Sequence, residues 1–225
     1  MSFARILEPE LMDTEEEALE YHAMDFSEPD ARFARDAVAL LGGLPRPELI
    51  DFGAGTAKIP VMICRARPDA RVHAIDPAAE MLKVAARHVA DAGLAGAITL
   101  ARSDGRATKL AAARFDAVLS NSTVHHIHQP LALLREMKRV LKPGGAILVR
   151  DLCRPRSMDE AWAIVKRVAA GDSLRQQQLF FDSLCAALNV EEVERLLAEV
   201  GWRELKVTMS SDRHWSIERR ASAAP

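Results

Sequence analysis

An apolar run, Leu49-Ile50-Asp51-Phe52, carries an acid straight into Gly53-Ala54-Gly55-Thr56, and the segment behind it, Ala57 to Ala66, reads as a helix. Two glycines let a chain leave a strand sharply and let a ligand approach the backbone, because no Cβ stands in the way. The first amides of the following helix face the same place, unpaired and carrying partial positive charge. A dinucleotide fold opens in this way too, but its fingerprint wants a third glycine where this chain has Lys58. Asp51, two residues before the first glycine, suits a cationic group such as an amine better than a phosphate.

The rest of the chain repeats the strand-to-helix theme. Strands are predicted over 48–52, 71–76, 97–101, 115–120 and 145–151, with helices over 57–67, 78–91 and 130–141 between them. Such alternation specifies an α/β, Rossmann-like three-layer sandwich with a parallel sheet covered on both faces. Two further helical segments, about 158–169 and 174–188, interrupt the pattern as an insertion at about 155–190, and another helix over 191–200 ends at Gly201. The segments 203–209 and 213–219 are joined by only Ser210-Ser211-Asp212, too short for a parallel crossover, so they form an antiparallel hairpin. The sheet then has about seven mostly parallel strands. Before it, residues 10–41 read as two amphipathic helices broken near Ser27-Glu28-Pro29-Asp30, with Ser27 or Asp30 as a candidate cap. The domain expectation is therefore an N-terminal helical cap or lid, 1–44, on a main domain, 45–225.

Bulk properties exclude several classes. In 225 residues, 30 Lys plus Arg stand against 32 Asp plus Glu, so no basic excess advertises nucleic acid. Cys64, Cys153 and Cys185 are odd in number and widely spaced, which suggests neither a disulfide framework nor a zinc site, and no metal is expected. No signal-peptide core or membrane-spanning run is present. The expectation is a cytoplasmic protein, monomer or homodimer, without a membrane partner.

Arg71-Val72-His73-Ala74-Ile75-Asp76 is a second strand ending in an acid one βαβ unit beyond Asp51, where a ribose hydroxyl pair is gripped in folds of this kind. With Pro77-Ala78-Ala79-Glu80-Met81-Leu82, Ser103-Asp104-Gly105, Phe115-Asp116-Ala117-Val118-Leu119-Ser120-Asn121 and Lys142-Pro143-Gly144-Gly145, the chain resembles the class I S-adenosylmethionine-dependent methyltransferases over residues 45–152. The phrases Arg5 to Asp13 and Ser211-Asp212-Arg213-His214 look like those of a bacterial, small-molecule-type subgroup. The resemblance implies S-adenosyl-L-methionine as cofactor. Its amino acid head would pass Gly53 and Gly55, with the ammonium on Asp51; its ribose would sit on Asp76. Pro77 and Ala78 would flank the adenine and Asp104 would accept from its amino group, with Ser103, Gly105 and Asn121 completing the site. The family's glycine pattern continues at position 57, where this chain has Ala57, a departure tolerable if the backbone there is helical. Other readings stand beside these: a bare turn for the glycines, a helix cap before Pro77 for Asp76, a generic turn for Asp104.

Beyond the strand ending at Ser120 the chain reads Asn121-Ser122-Thr123-Val124-His125-His126-Ile127-His128. Methyltransferases acting on nucleic-acid amino groups place prolines and an aromatic here, and this chain does not. The His-His pair resembles small-molecule enzymes of the class, and His125 or His126 is a candidate general base, His125 being nearer the strand end. The alternative is that either ring packs under the next helix. Tyr21, the chain's one tyrosine, would come down over the methyl group if its segment is a lid, or else would anchor a helix. Arg150, Arg154, Arg213 and His214 are candidates for an anionic acceptor, or a solvated charged surface. The expected function is direct methyl transfer to a small molecule. Its rivals are an RNA or protein methyltransferase and a non-catalytic S-adenosylmethionine-binding partner.

Overall fold

The computed structural model describes residues 3–10 and 13–222. Leu11 and Met12, part of the N-terminal phrase, and the chain ends of the two expected domains lie outside the described residues. Five parallel strands form the body of one sheet: β1 (Glu48–Phe52), β2 (Arg71–Asp76), β3 (Ile98–Arg102), β4 (Phe115–Asn121) and β5 (Leu141–Leu152). Then β6 (Val207–Met209) and β7 (His214–Arg219) complete a seven-stranded sheet of order β3-β2-β1-β4-β5-β7-β6. β7 runs antiparallel to both of its neighbours, as the short Ser210-Ser211-Asp212 link requires. The order reverses between β1 and β4, and a crevice opens at the carboxyl ends of strands where adjacent connections leave to opposite faces.

β5 begins earlier than its sequence suggests. Phe115 pairs with Leu141 and Ala117 with Ala146, so the single intervening residue of β4 faces the four-residue bulge Lys142-Pro143-Gly144-Gly145. A Cβ on Gly145 would come within 2.9 Å of the Asp116 carbonyl, so the close approach of backbones demands glycine there. Asp116 ties the bulge from its side chain, accepting from Lys142 Nζ at 2.7 Å and from the Glu48 amide at 2.9 Å.

Helices cover both faces. On one, α5 (Pro130–Val140) and α8 (Val190–Val200) bury Leu133, Leu134, Met137, Val193 and Leu197 against Ile50, Phe52, Val118, Ile147 and Trp215. On the other, α3 (Lys58–Ala66) and α4 (Ala79–Asp91) bury Val61, Ile63, Ala85 and Val89 against Leu49, Val72, Ala74 and Leu148. α2 (Ser27–Leu41) belongs to this second layer: Phe33, Ala34, Ala37 and Leu41 are at most 4% exposed within it. This corrects the expectation of a lid over residues 10–41, because a helix with that face in the core is scaffold. The expected caps are corrected too. Phe26 occupies the cap position of α2, and Asp25 accepts from the Ser27 amide and hydroxyl.

Over the crevice itself lie α1 (Glu15–Ala23), started by a Thr14/Glu17 capping box, and an extended strap of residues 3–10. α1 docks on α4 through Ala18 and Tyr21 against Ala78, Met81 and Val84. The insertion is α6 (Met158–Val168) and α7 (Leu174–Ala186), clamped together by a Trp162–Phe181 stack with centroids 4.4 Å apart. The strap crosses from α7 to the loop after β4. The Ile6 amide donates to the Cys185 carbonyl at 3.1 Å, and Arg5 donates to the carbonyls of Ala186, His125 and Ile127.

Candidate active site

A cavity of about 200 Å³ opens at the carboxyl ends of β1, β2, β3 and β4. Gly53, Gly55, Asp76, Pro77, Ala78, Ser103, Asp104 and Gly105 line one side, and Tyr21, Ser122, Thr123, His126 and Ile127 close the other. The sequence-predicted cofactor residues are thus largely brought together, with exceptions at Asp51 and Asn121, which do not line the cavity. Asn121 contributes its carbonyl, which accepts from the Thr123 hydroxyl at 3.1 Å.

The Gly-x-Gly turn is built as a cradle. Gly53 has φ +74°, and a Cβ there would lie 2.3 Å from Thr123 Oγ1. Gly55, φ +53°, would place a Cβ 3.4 Å from the Tyr21 ring. Asp76 holds the turn in position: one carboxylate oxygen accepts from the Gly55 amide and the other from the Ala78 amide, each at 2.9 Å. Asp76 is not the cap of α4, whose cap position is Ala78 with no side-chain cap bond; it braces the turn on either side, and each carboxylate oxygen keeps a second lone pair. Ala57 takes φ 60° and ψ 27°, left-handed rather than helical, so the expected reason for tolerating it is corrected. A left-handed alanine costs about 1–2 kcal/mol. That is offset because its methyl is fully buried and because glycine would lose more chain entropy on folding.

The electrostatics of the turn are unusual. Asp51 is 2% exposed, and burial, reinforced by the negative charges of Asp76 and Asp30, pushes its carboxyl up to about 7. Asp30 on α2, which the sequence marks only as a candidate cap, is pushed up to about 6 by burial. Among the described residues neither carboxylate accepts a hydrogen bond. Lys58, where a third glycine would stand, instead donates to the Met24 carbonyl at 2.9 Å and clasps the end of α1. Burial and the charges of Asp30, Asp76 and Asp51 raise the Tyr21 phenol well above its usual value, so Tyr21 is a hydrogen-bond donor and wall rather than a base.

At the end of the cavity beyond β3, Asp104 is paired with Arg106, which donates to both carboxylate oxygens and also to Glu10 at 2.9 Å. A Cβ at Gly105 would meet Leu133 at 2.8 Å and Phe52 at 3.1 Å, so that wall is close-packed. A glycine turn with no room for side chains, the Asp76 carboxylate beside it and the apolar wall of Phe52, Ile75, Ala78, Met81 and Leu133 fit an amino acid backbone, a hydroxyl-bearing sugar and a base. S-adenosyl-L-methionine carries all three.

The acceptor loop has an unexpected arrangement. Val124 to His126 form one turn of 3₁₀-helix in which His125 is buried and His126 lines the cavity. The order of preference for the base reverses accordingly, because a group 4% exposed and outside the cavity does not reach an acceptor. His125 Nδ1 lies 2.5 Å from Asp151 at the end of β5, and His126 Nδ1 lies 2.9 Å from Glu8 of the strap. Glu8 lies in the Arg5 to Asp13 phrase and Asp151 at the end of β5, but nothing in either stretch names a histidine as its partner; contact in three dimensions reveals the pairing.

The four residues considered for an anionic acceptor are placed elsewhere. Arg150 is used by Ser216 at 2.9 Å, Asp36 at 2.9 Å and Glu218 at 3.2 Å. Arg154 joins the Phe3 carbonyl, the Ala187 carbonyl and Glu192. Arg213 pairs with Asp212, and His214, bonded to the Ser211 hydroxyl, is driven down to about 4 by burial and by Arg213. None of the four lines the cavity. A string of charges in sequence does not say which of them are consumed by internal partners.

Residues 50–149 match the family described as a methyltransferase domain. The ubiquinone/menaquinone biosynthesis C-methyltransferase UbiE of Syntrophotalea carbinolica is 32% identical over 126 residues, 56% of this chain and 52% of that protein. A ubiquinone biosynthesis O-methyltransferase of Cereibacter sphaeroides is 37% identical over 138 residues, 60% of this chain and 52% of that one. The matches thus span about half the length of these curated relatives. Among solved structures, the plantazolicin methyltransferase BpumL, in complex with a monoazolic desmethylPZN analog and SAH, superposes with a TM-score of 0.68 at 17% identity, covering 91% of this chain and 90% of that one. The fold is the Rossmann-like methyltransferase fold. Residues 50–149 thus match a methyltransferase domain, and the likeness to solved methyltransferases extends that fold over most of the chain. Among the described residues no helix is long and apolar enough to cross a membrane.

Proposed function

We propose that this chain methylates a small, neutral acceptor bearing a weakly acidic hydroxyl or carbon acid, with His126 as general base. One observation carries the reading: the Gly53–Gly55 turn, Asp76 and His126 all line a single cavity. When bound, the cofactor supplies a methyl group on a sulfonium, already an excellent leaving group. The protein then needs to hold the acceptor in line, keep water out and accept a proton. Tyr21 and the strap close the cavity against water, and Thr123 and Ser122 present hydroxyls beside His126.

Charge favours a neutral acceptor over an anionic one. The lining carries Glu10, Asp76 and Asp104, and its one cation among the described residues, Arg106, is held by Asp104 and Glu10. With that guanidinium already paired, an anion would be desolvated without a partner. The names of the two curated relatives, one an O- and one a C-methyltransferase of quinone biosynthesis, fit an acceptor of this kind. The three free cysteines fit a reducing, cytoplasmic setting.

The test is to screen phenols, enols, carboxylates and amines for product formation with S-adenosylmethionine, and then to measure turnover of His126→Ala on the best acceptor. A hydroxyl or carbon acid should be preferred, and turnover should fall roughly 10²–10⁴-fold with cofactor affinity little changed. Selective methylation of carboxylates, or full turnover without His126, contradicts the proposal.

A further inference from the structure

Four side chains from three places in the chain form one continuous set of contacts: Asp151, His125, Glu8 and His126. Asp151 is 1% exposed and accepts the backbone amides of Val124, His125 and Leu152 besides the His125 ring. From the other side, Glu8 Oε1 lies 3.6 Å from His125 Nε2 and 2.9 Å from His126 Nδ1. Ser183 on α7 donates to the same carboxylate at 3.2 Å. The strap that brings Glu8 is fixed by Arg5, whose guanidinium spans the carbonyls of His125 and Ile127.

The partners of each ring nitrogen fix where the protons lie. His125 Nδ1 is bonded to Asp151, while its Nε2 faces Glu8 across 3.6 Å, too far for a hydrogen bond but close enough for both carboxylates to favour the charged ring. Burial alone would drive His125 toward its neutral form, but Asp151 and Glu8 outweigh burial and hold its pKa above the usual value. The same balance, burial against the histidines, keeps both Asp151 and Glu8 below the usual carboxylate range. Glu8, held as a carboxylate with Ser183 donating to its other oxygen, faces His126 Nδ1 at 2.9 Å as the acceptor for a proton there. Nothing among the described residues pairs with His126 Nε2.

We propose that Glu8 is a positioning residue that fixes His126 in its Nδ1–H tautomer, so that Nε2 on the cavity wall is the atom that takes the acceptor's proton. This rests on the methyltransferase reading with His126 as base. In the proton step the acceptor's O–H or C–H bond breaks, its electron pair stays on the nucleophile and the proton forms a bond to Nε2. The new positive charge is then paired with Glu8 through Nδ1–H, and the proton later returns to water. His125 is excluded from this role by its placement, since it is 4% exposed, does not line the cavity and has Nδ1 engaged by Asp151. The base is therefore competent only with the strap seated, which makes residues 3–10 part of the active site.

The test uses the full chain, labelled with ¹⁵N at histidine and saturated with S-adenosylhomocysteine, and reads the tautomer of each ring from long-range ¹H–¹⁵N correlations. His126 should appear as a single Nδ1–H tautomer and His125 as the doubly protonated ring. In Glu8→Ala the His126 pattern should collapse to a tautomer mixture, while Glu8→Asp should restore it in part. The unchanged signals of histidines remote from the strap, His73 and His214, report that the variant is folded. An Nε2–H tautomer of His126 in the parent protein, or an unchanged tautomer in Glu8→Ala, overturns the proposal. The ligand atoms of Glu8, His125 and His126 also lie within 4.8 Å of one another, a spacing that a metal ion could bridge. Stoichiometric Zn²⁺ shifting both rings to metal-bound positions would overturn the proton arrangement, whereas unperturbed spectra support it. Turnover by His126→Ala would defeat the base reading and leave the tautomer result untouched, so the two failures are separable.

Discussion

Asp51 is the residue at which stability and ligand binding oppose each other most clearly. A carboxyl that titrates near 3.8 in the unfolded chain and at about 7 when buried beside Asp76 and Asp30 is disfavoured as an anion in the empty protein. The folded form binds that proton more tightly, so the penalty is absent below the unfolded value, grows as pH rises from about 4 and is complete above about pH 7. Its full size is on the order of 4 kcal/mol at neutral pH. Under the proposed cofactor reading, positive charge of the bound ligand behind the Gly53–Gly55 turn would recover part of it, although Asp51 itself does not line the cavity. Asp51→Asn should therefore stabilise the ligand-free protein, by about 2 kcal/mol more at pH 8 than at pH 5, while weakening binding of S-adenosylhomocysteine. Thermal melts at the two pH values check the first part and calorimetry the second. A variant less stable than the parent at pH 8 would show that Asp51 is satisfied inside the protein.

Among the helices and strands, the separation of α2 from α1 and the strap has a measurable consequence. α2 buries an unbroken face of Phe33, Ala37 and Leu41, whereas the strap is held mainly by Arg5, Glu8 and Glu10 through polar contacts. Hydrogen exchange of residues 3–10 and 13–26 should slow when S-adenosylhomocysteine binds, and that of residues 33–41 should be slow throughout. Equal protection of both regions, with and without ligand, would mean that the strap is as fixed as the core. The resemblance of α2 to a lid in sequence has a physical source. Its acidic first turn and Arg32 and Arg35 read as a surface helix, and the 33, 37, 41 spacing does not state which surface it meets. Interior strands are legible because β1, β2 and β4 are apolar over most of their length, as strands covered on both faces must be. The start of β5 is not, since Lys142-Pro143-Gly144-Gly145 reads as a turn and is held by contacts from a distance, Asp116 on Lys142, Arg219 on the Gly145 carbonyl and Ser222 on the Gly144 carbonyl. Edge strand β6 has one partner and keeps three residues of the seven expected.

Over the molecule as a whole, the cofactor half of the site is local and the acceptor half is assembled from a distance. Gly53, Gly55, Asp76 and Ser103 to Gly105 each close a strand of a repeating unit, so spacing along the chain finds them. Glu8 and His126 are 118 residues apart and Asp151 comes from another strand; no spacing rule connects them. The same distinction explains why arginines near the end of β5 suggest an anionic acceptor in sequence: their partners, Asp36, Glu192 and Glu218, come from three other elements. Everything said of the chemistry depends on the cavity being a cofactor site organised by Asp76. Titration calorimetry of S-adenosylhomocysteine into the parent protein and Asp76→Ala, each shown to be folded, examines that dependence without needing the acceptor. One site per chain is expected in the parent, with a loss of about 1.5–3 kcal/mol in the variant, the worth of hydrogen bonds to a charged group. Absence of binding to the parent, or equal affinity in both proteins, would refute a cofactor site built on Asp76.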